Sequence, residues 1–155
     1  MVRFAEAGDL ERINELRKAV NDVHVHGRPD IFKAGFHTEL RDYIYSICKA
    51  EDKDILVVER EGVICGYACL RYAEKSETPF MRARRFLDVD EFGVDEGFRR
   101  QGVGTELMEG IRVEAGKRGL HRIELNMWEF NKEALAFYES VGFKTYRRYL
   151  ELEEG

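Results

Sequence analysis

Prolines are almost absent from this chain, two in 155 residues, beside a single tryptophan and three cysteines. Cys48, Cys65 and Cys69 are odd in number and lack C-x-x-C spacing, so neither a disulfide framework nor a cysteine zinc site is expected. No apolar run approaches the ~20 residues that span a bilayer. The opening MVRFAEAGDLERI lacks the charged-then-apolar plan of a secretory signal. The expectation is a cytoplasmic home with no membrane partner. An excess of basic residues is missing too. The net charge of −5 argues against wholesale nucleic-acid binding and mildly favours a cationic partner. What remains, 44% hydrophobic and 35% charged without repeats, suits a globular chain whose length fits one domain over 1–155.

Periodicity orders the elements. Val2–Ala5 reads as a strand, and Asp9 caps a helix carrying Leu10, Ile13, Leu16 and Val20 at helical spacing. His24–Gly35 is irregular, with GRPD as its turn, and a second helix covers Thr38–Lys49. Ile55–Glu59 and Val63–Tyr72 form a hairpin through Arg60-Glu61-Gly62. Arg84–Val94 is a strand, with MRARR at 81–85 as a charged guard on an edge. Val103, Leu107, Ile111 and Ala115 stripe a helix closed by Gly119. HRIELNMW (121–128) alternates as a strand. Asn131 caps a helix with Ala134, Phe137, Tyr138 and Val141 on one face, ended by Gly142, and Phe143–Leu152 is a last strand. The order β-α-α-β-β-β-α-β-α-β predicts a mixed sheet with helices on its faces.

The stretch FRRQGVGTEL (98–107) puts bare backbone and positive charge at the mouth of a helix. Unpaired N–H groups and the macrodipole there suit phosphate, and glycine lets the backbone approach it. Two phosphate loops can be tested. A P-loop needs Lys and Ser/Thr where Val103 and Gly104 stand. The dinucleotide fingerprint G-x-G-x-x-G finds Gly102 and Gly104 but meets Leu107 at its third glycine. A dinucleotide reductase is therefore the remote reading.

The pattern Arg99-Arg100-Gln101-Gly102-Val103-Gly104 resembles the R/Q-x-x-G-x-G/A acetyl-CoA signature of the GNAT superfamily of N-acetyltransferases. NKEALAFYESVGF resembles the same family's N-x-x-A-x-x-F-Y-E-x-x-G-F segment at Asn131, Ala134, Phe137, Tyr138, Gly142 and Phe143. The resemblance is sharpest over residues 86–144. It implies an α/β (α+β) fold, a mixed, mostly antiparallel central sheet of about six to seven strands, flanked by about four helices. The fourth and fifth strands would splay apart to admit acetyl-CoA as co-substrate, with no metal.

Under that resemblance the pyrophosphate rests on the amides of Arg99, Arg100, Gln101, Gly102, Val103 and Gly104, with Thr105 adding its hydroxyl. Main-chain groups of Phe92 and Val94 pair with the pantetheine arm, and Asn131 adds a contact to its capping role. Tyr138 is the general acid. For the base, Asp90 lies four residues before Val94 and is favoured, whereas a β-bulge would bring Glu91 into place. His24 and His26 lack a third metal ligand, and their loop, with Phe32 and Phe36, lies where the family shapes its acceptor pocket. The expected activity is acetyl transfer to a primary amine of a small molecule or protein by direct attack on the thioester. The alternative is a non-catalytic acyl-CoA sensor or interaction module. A homodimer is left open.

Overall fold

The computed structural model describes every residue, 1–155. Strand β1 (Val2–Phe4) leads through a 3-10 turn at 7–9 into helix α1 (Leu10–Gly27), which is followed by α2 (Thr38–Ile47). Next come β2 (Lys53–Arg60), β3 (Val63–Lys75) and β4 (Arg84–Val94). Helix α3 (Val103–Lys117), strand β5 (Ile123–Leu125) and helix α4 (Lys132–Ser140) complete the order. The sheet runs β1-β2-β3-β4-β5, antiparallel except for the parallel pair β4–β5.

Burial follows the two periods seen in the sequence. Ile55 and Val57 of β2 face α1 and α2, where they meet Leu10, Ile13, Leu16, Ile44 and Ile47. Their neighbours Leu56 and Val58 face the other way, onto Val103, Leu107, Met108 and Ile111 of α3. A strand apolar on both faces is what a sheet sandwiched between helices requires. At the β2–β3 hairpin, Glu61 (φ 51°) and Gly62 (φ 77°) are both left-handed, as a tight two-residue turn demands.

Several expectations are corrected. The sheet has five strands, fewer than the six to seven expected. The difference lies in residues 143–152, which are not a strand, and no main-chain N–H or C=O from Lys144 onward has a partner in the chain. The strand expected over 121–128 pairs only at Ile123–Leu125. Helix α1 continues through His24–Gly27 instead of breaking there, because Gly27 lets it lie against Phe130. Asp9 does not cap α1 with its side chain; its carboxylate accepts the Glu6 N–H at 2.7 Å and binds Arg3. The second helix ends at Ile47, two residues early. MRARR lies mostly ahead of β4, whose ladder with β5 begins only at Leu87. Arg84 binds Glu124 and Arg85 binds Glu74.

Candidate active site

The site is organised by an irregularity in β4. Cys69 pairs with Glu91 but Leu70 pairs with Val89, so Asp90 is an extra residue, a β-bulge. Before it, the Leu87 N–H donates to the carbonyl of Arg122, the residue just before β5. After it, the Asp95 N–H donates to the Cys65 carbonyl of β3. Alternation back from Asp95 turns the main-chain groups of Phe92 and Val94 away from β3. The β4–β5 ladder stops at Val89↔Leu125. Phe92 and Val94 therefore present their backbone to an edge that β5 does not cover.

The bulge also sets the carboxylates. On a regular pleat Asp90 and Glu91 would face opposite sides of the sheet; here both reach toward the α1–α2 side. Asp90 is exposed and accepts a hydrogen bond from the Tyr43 hydroxyl at 2.8 Å. Glu91 is more enclosed. Arg17, only 2% exposed, forms a two-bond pair with it at 2.9 and 3.0 Å, and Tyr67 donates to it at 3.0 Å. The Arg17 guanidinium also lies 5.6 Å from the Phe36 ring centre and 5.5 Å from that of Tyr43. The sequence reading missed Arg17. Its signal was present: it lies four residues after Ile13 and three before Val20, a lone cation on an apolar stripe.

Beyond β4 the chain forms a second 3-10 turn at 96–98 and enters α3 through the glycine stretch. Arg100 (φ 61°) and Gly102 (φ 77°) are left-handed, and Gly102 occupies the N-cap position. No N–H group from Arg100 to Thr105 has an acceptor in the protein. The two glycines differ in their physical reason. A Cβ on Gly102 would meet nothing within 4 Å, so that face of the loop is open. A Cβ on Gly104 would approach the Phe137 ring to 3.0 Å, so this glycine serves helix packing. The side chains of Arg99 and Gln101 turn aside, Arg99 toward Glu133 at 3.4 Å and Gln101 toward the Gly97 carbonyl at 3.4 Å.

Helix α4 supplies the remaining expected residues. Asn131 Oδ1 accepts the Ala134 N–H at 3.2 Å, the capping geometry its position predicts. The Tyr138 ring packs edge-on against Phe92, Phe137 and Phe143 at 5.6–5.8 Å. Its hydroxyl has no hydrogen-bond partner in the protein, and burial pushes its pKa up to about 12. Across the β4 edge, His24 stacks on Phe32 at 5.0 Å, and Trp128 and Phe130 complete a four-ring cluster. Burial lowers the His24 pKa, while the charge of Glu91 opposes that shift.

These elements and this loop define an acetyltransferase of the GNAT type. The chain belongs to the acetyltransferase (GNAT) family, whose model matches residues 17–143. It is 30% identical over 105 residues to an uncharacterized N-acetyltransferase of Methanocaldococcus jannaschii, covering 67% of this chain and 45% of that protein. It is 42% identical over 50 residues to the ribosomal protein bS18-alanine N-acetyltransferase of Escherichia coli, covering 32% of this chain and 34% of that enzyme. The matches thus span less than half of these relatives. Among solved structures, a mutant of the Bacillus halodurans protein BH1408 superposes with TM-score 0.95 at 28% identity over 99% of both chains. The aminoglycoside N-acetyltransferase AAC(6')-Iy in complex with CoA shares the fold, with TM-score 0.73 at 15% identity over 100% of this chain and 99% of that one.

Proposed function

We propose that the chain is one N-acetyltransferase domain that moves acetyl from acetyl-CoA to a primary amine by direct attack. The observation that carries this is the run of free N–H groups from Arg100 to Thr105, at a helix N-terminus and beside the uncovered edge of β4. Free amides at the positive end of a helix stabilise a pyrophosphate. Phe92 and Val94 then hold the pantetheine arm as though it were a strand. An N–H fixed beside the thioester stabilises the oxyanion as the acetyl carbon becomes tetrahedral.

Two proton movements complete the transfer. The Tyr138 hydroxyl is protonated at neutral pH and bound to nothing in the protein, so it is available to the departing thiolate. The incoming ammonium must lose a proton. Glu91 is fully engaged by Arg17 and Tyr67, which suits a positioning role. Asp90 accepts only from Tyr43, through Oδ2, and its Oδ1 remains free, so Asp90 is the better base. The amine approaches from the side of Phe36, Tyr43 and His24, toward these two acids.

Gly102→Val tests the coenzyme loop. Loss of amide contacts to a charged phosphate predicts a ~10–100-fold weaker CoA affinity by calorimetry. Because the variant also strains a left-handed residue by about 1–2 kcal/mol, Gly119→Val is the control. Gly119 has φ 67° and open space around it at the far end of α3. Equal CoA affinity in the wild type and Gly102→Val would remove the reading. Labelled acetyl-CoA with a panel of amines then separates an enzyme from a sensor, which would bind coenzyme and acetylate nothing.

A further inference from the structure

The loop at 99–104 follows β4 but is tied to β2, two places away in the sheet. Arg60 is the last residue of β2. Its Nη1 donates to the Gln101 carbonyl at 2.8 Å, and its Nη2 donates to Glu106 at 2.9 Å. Gln101 sits between the left-handed residues Arg100 and Gly102, and Glu106 lies in the first turn of α3. Glu106 has a second partner in the Met1 ammonium, at 2.8 Å. The Gln101 carbonyl has none besides Arg60, because no main-chain N–H donates to it.

In an α-helix each N–H donates to the carbonyl four residues back. The first such bond of α3 runs from the Glu106 N–H to the Gly102 carbonyl at 2.9 Å. One step earlier, the Thr105 N–H would donate to the Gln101 carbonyl. Arg60 holds that carbonyl instead, and the Thr105 N–H is free. A helix that grew back by one residue would use up the Thr105 amide and unwind the left-handed turn at Gly102.

Arg100 carries a Cβ, so its φ of 61° is unfavourable alone and persists only where the surroundings fix it. A guanidinium suits that task, since its planar fork serves a carbonyl and a carboxylate at once. We propose that Arg60 is a positioning residue for the coenzyme. Acting through Gln101, it stops α3 from growing back into the loop and keeps the amides free for pyrophosphate. This role rests on the loop being the coenzyme site.

Arg60→Met removes the fork and keeps an aliphatic stem; Arg60→Ala is a second variant with the same expected readouts. In the coenzyme-free full chain, amide hydrogen exchange at Thr105, followed by NMR, should slow about tenfold or more as that amide gains the Gln101 carbonyl. CoA affinity by calorimetry should fall about 3–10-fold, with the KM for acetyl-CoA rising alike and kcat kept. Glu106→Gln removes the charge pair but leaves the bond to Gln101, so CoA affinity should stay within about twofold of wild type. A mere loosening of the loop would leave Thr105 exchange unchanged or faster, and either result overturns the proposal. So does a Glu106→Gln variant that binds CoA as weakly as Arg60→Met, which would place the effect in the ion pair. Slower exchange with unaltered CoA affinity would keep the hold on the helix and overturn the loop as the coenzyme site.

Discussion

Tyr138 combines a ring held by three aromatic neighbours with a hydroxyl that touches no protein atom as a hydrogen-bond partner. Those two facts separate catalysis from stability. Tyr138→Phe keeps the ring, so the melting temperature should move little. Under the proposed role, kcat should fall roughly 10²–10⁴-fold, the usual range for a general acid. Acetyl-CoA affinity should stay the same, because the lost interaction is made in the transition state. Full activity when chemistry limits the rate would exclude this hydroxyl as the acid. At the same scale, the sequence named Asp90 and Glu91 and favoured Asp90 from its spacing to Val94 alone. The proposed preference for Asp90 now rests also on Arg17 and Tyr67, whose contacts with Glu91 span 74 and 24 residues of chain.

Helix α1 meets the β5–α4 connection at His24 and Gly27, both against Phe130. An added Cβ on Gly27 would come within 2.2 Å of the Phe130 ring, well inside contact distance. Phe130 packs on Trp128, the chain's only tryptophan, and Trp128 on Phe32. Gly27→Ala should therefore push the four-ring cluster open at a cost of about 1–3 kcal/mol, as overpacking does. Tryptophan emission reads the event directly: a red shift with a lowered melting temperature is expected. An unchanged spectrum would mean that the ring yields without disturbing the cluster. The periodicity of α1 was plain in the sequence, but its last turn was not, because what keeps that turn helical is a packing contact with a distant loop.

For the whole molecule, alkaline pH is the informative stress. Burial raises the pKa of Tyr43, Tyr67, Tyr72 and Tyr138 above the ordinary value of 10.0. Each phenol holds its proton more tightly in the folded chain than in the unfolded one. Their stabilisation is fully present below pH 10 and is lost as pH rises, because the unfolded state ionises first. Urea midpoints should fall steeply above pH 10. In Tyr138→Phe the decline between pH 10 and about 12 should be shallower, by at most about 1.4 kcal/mol per pH unit, one proton's worth. Parallel curves for the two proteins would show that Tyr138 titrates alike in both states.

Local chemistry was written into the sequence: the alternation in 55–59, the stripe of Val103, Leu107, Ile111 and Ala115, the Asn131 cap, and the glycine entry to α3. These depend on neighbours within a turn or a pleat, and one chain order encodes them. Two spaced motifs also sufficed to place the chain in its family. Only the tertiary structure decided the bulge at Asp90, which shifts the strand's phase and frees the Phe92 and Val94 backbone at the uncovered edge. It alone placed Arg17 on Glu91, and it alone left 143–152 outside the sheet despite a strand-like pattern. A pattern shows that a segment can pair; whether it does depends on which edge lies within reach.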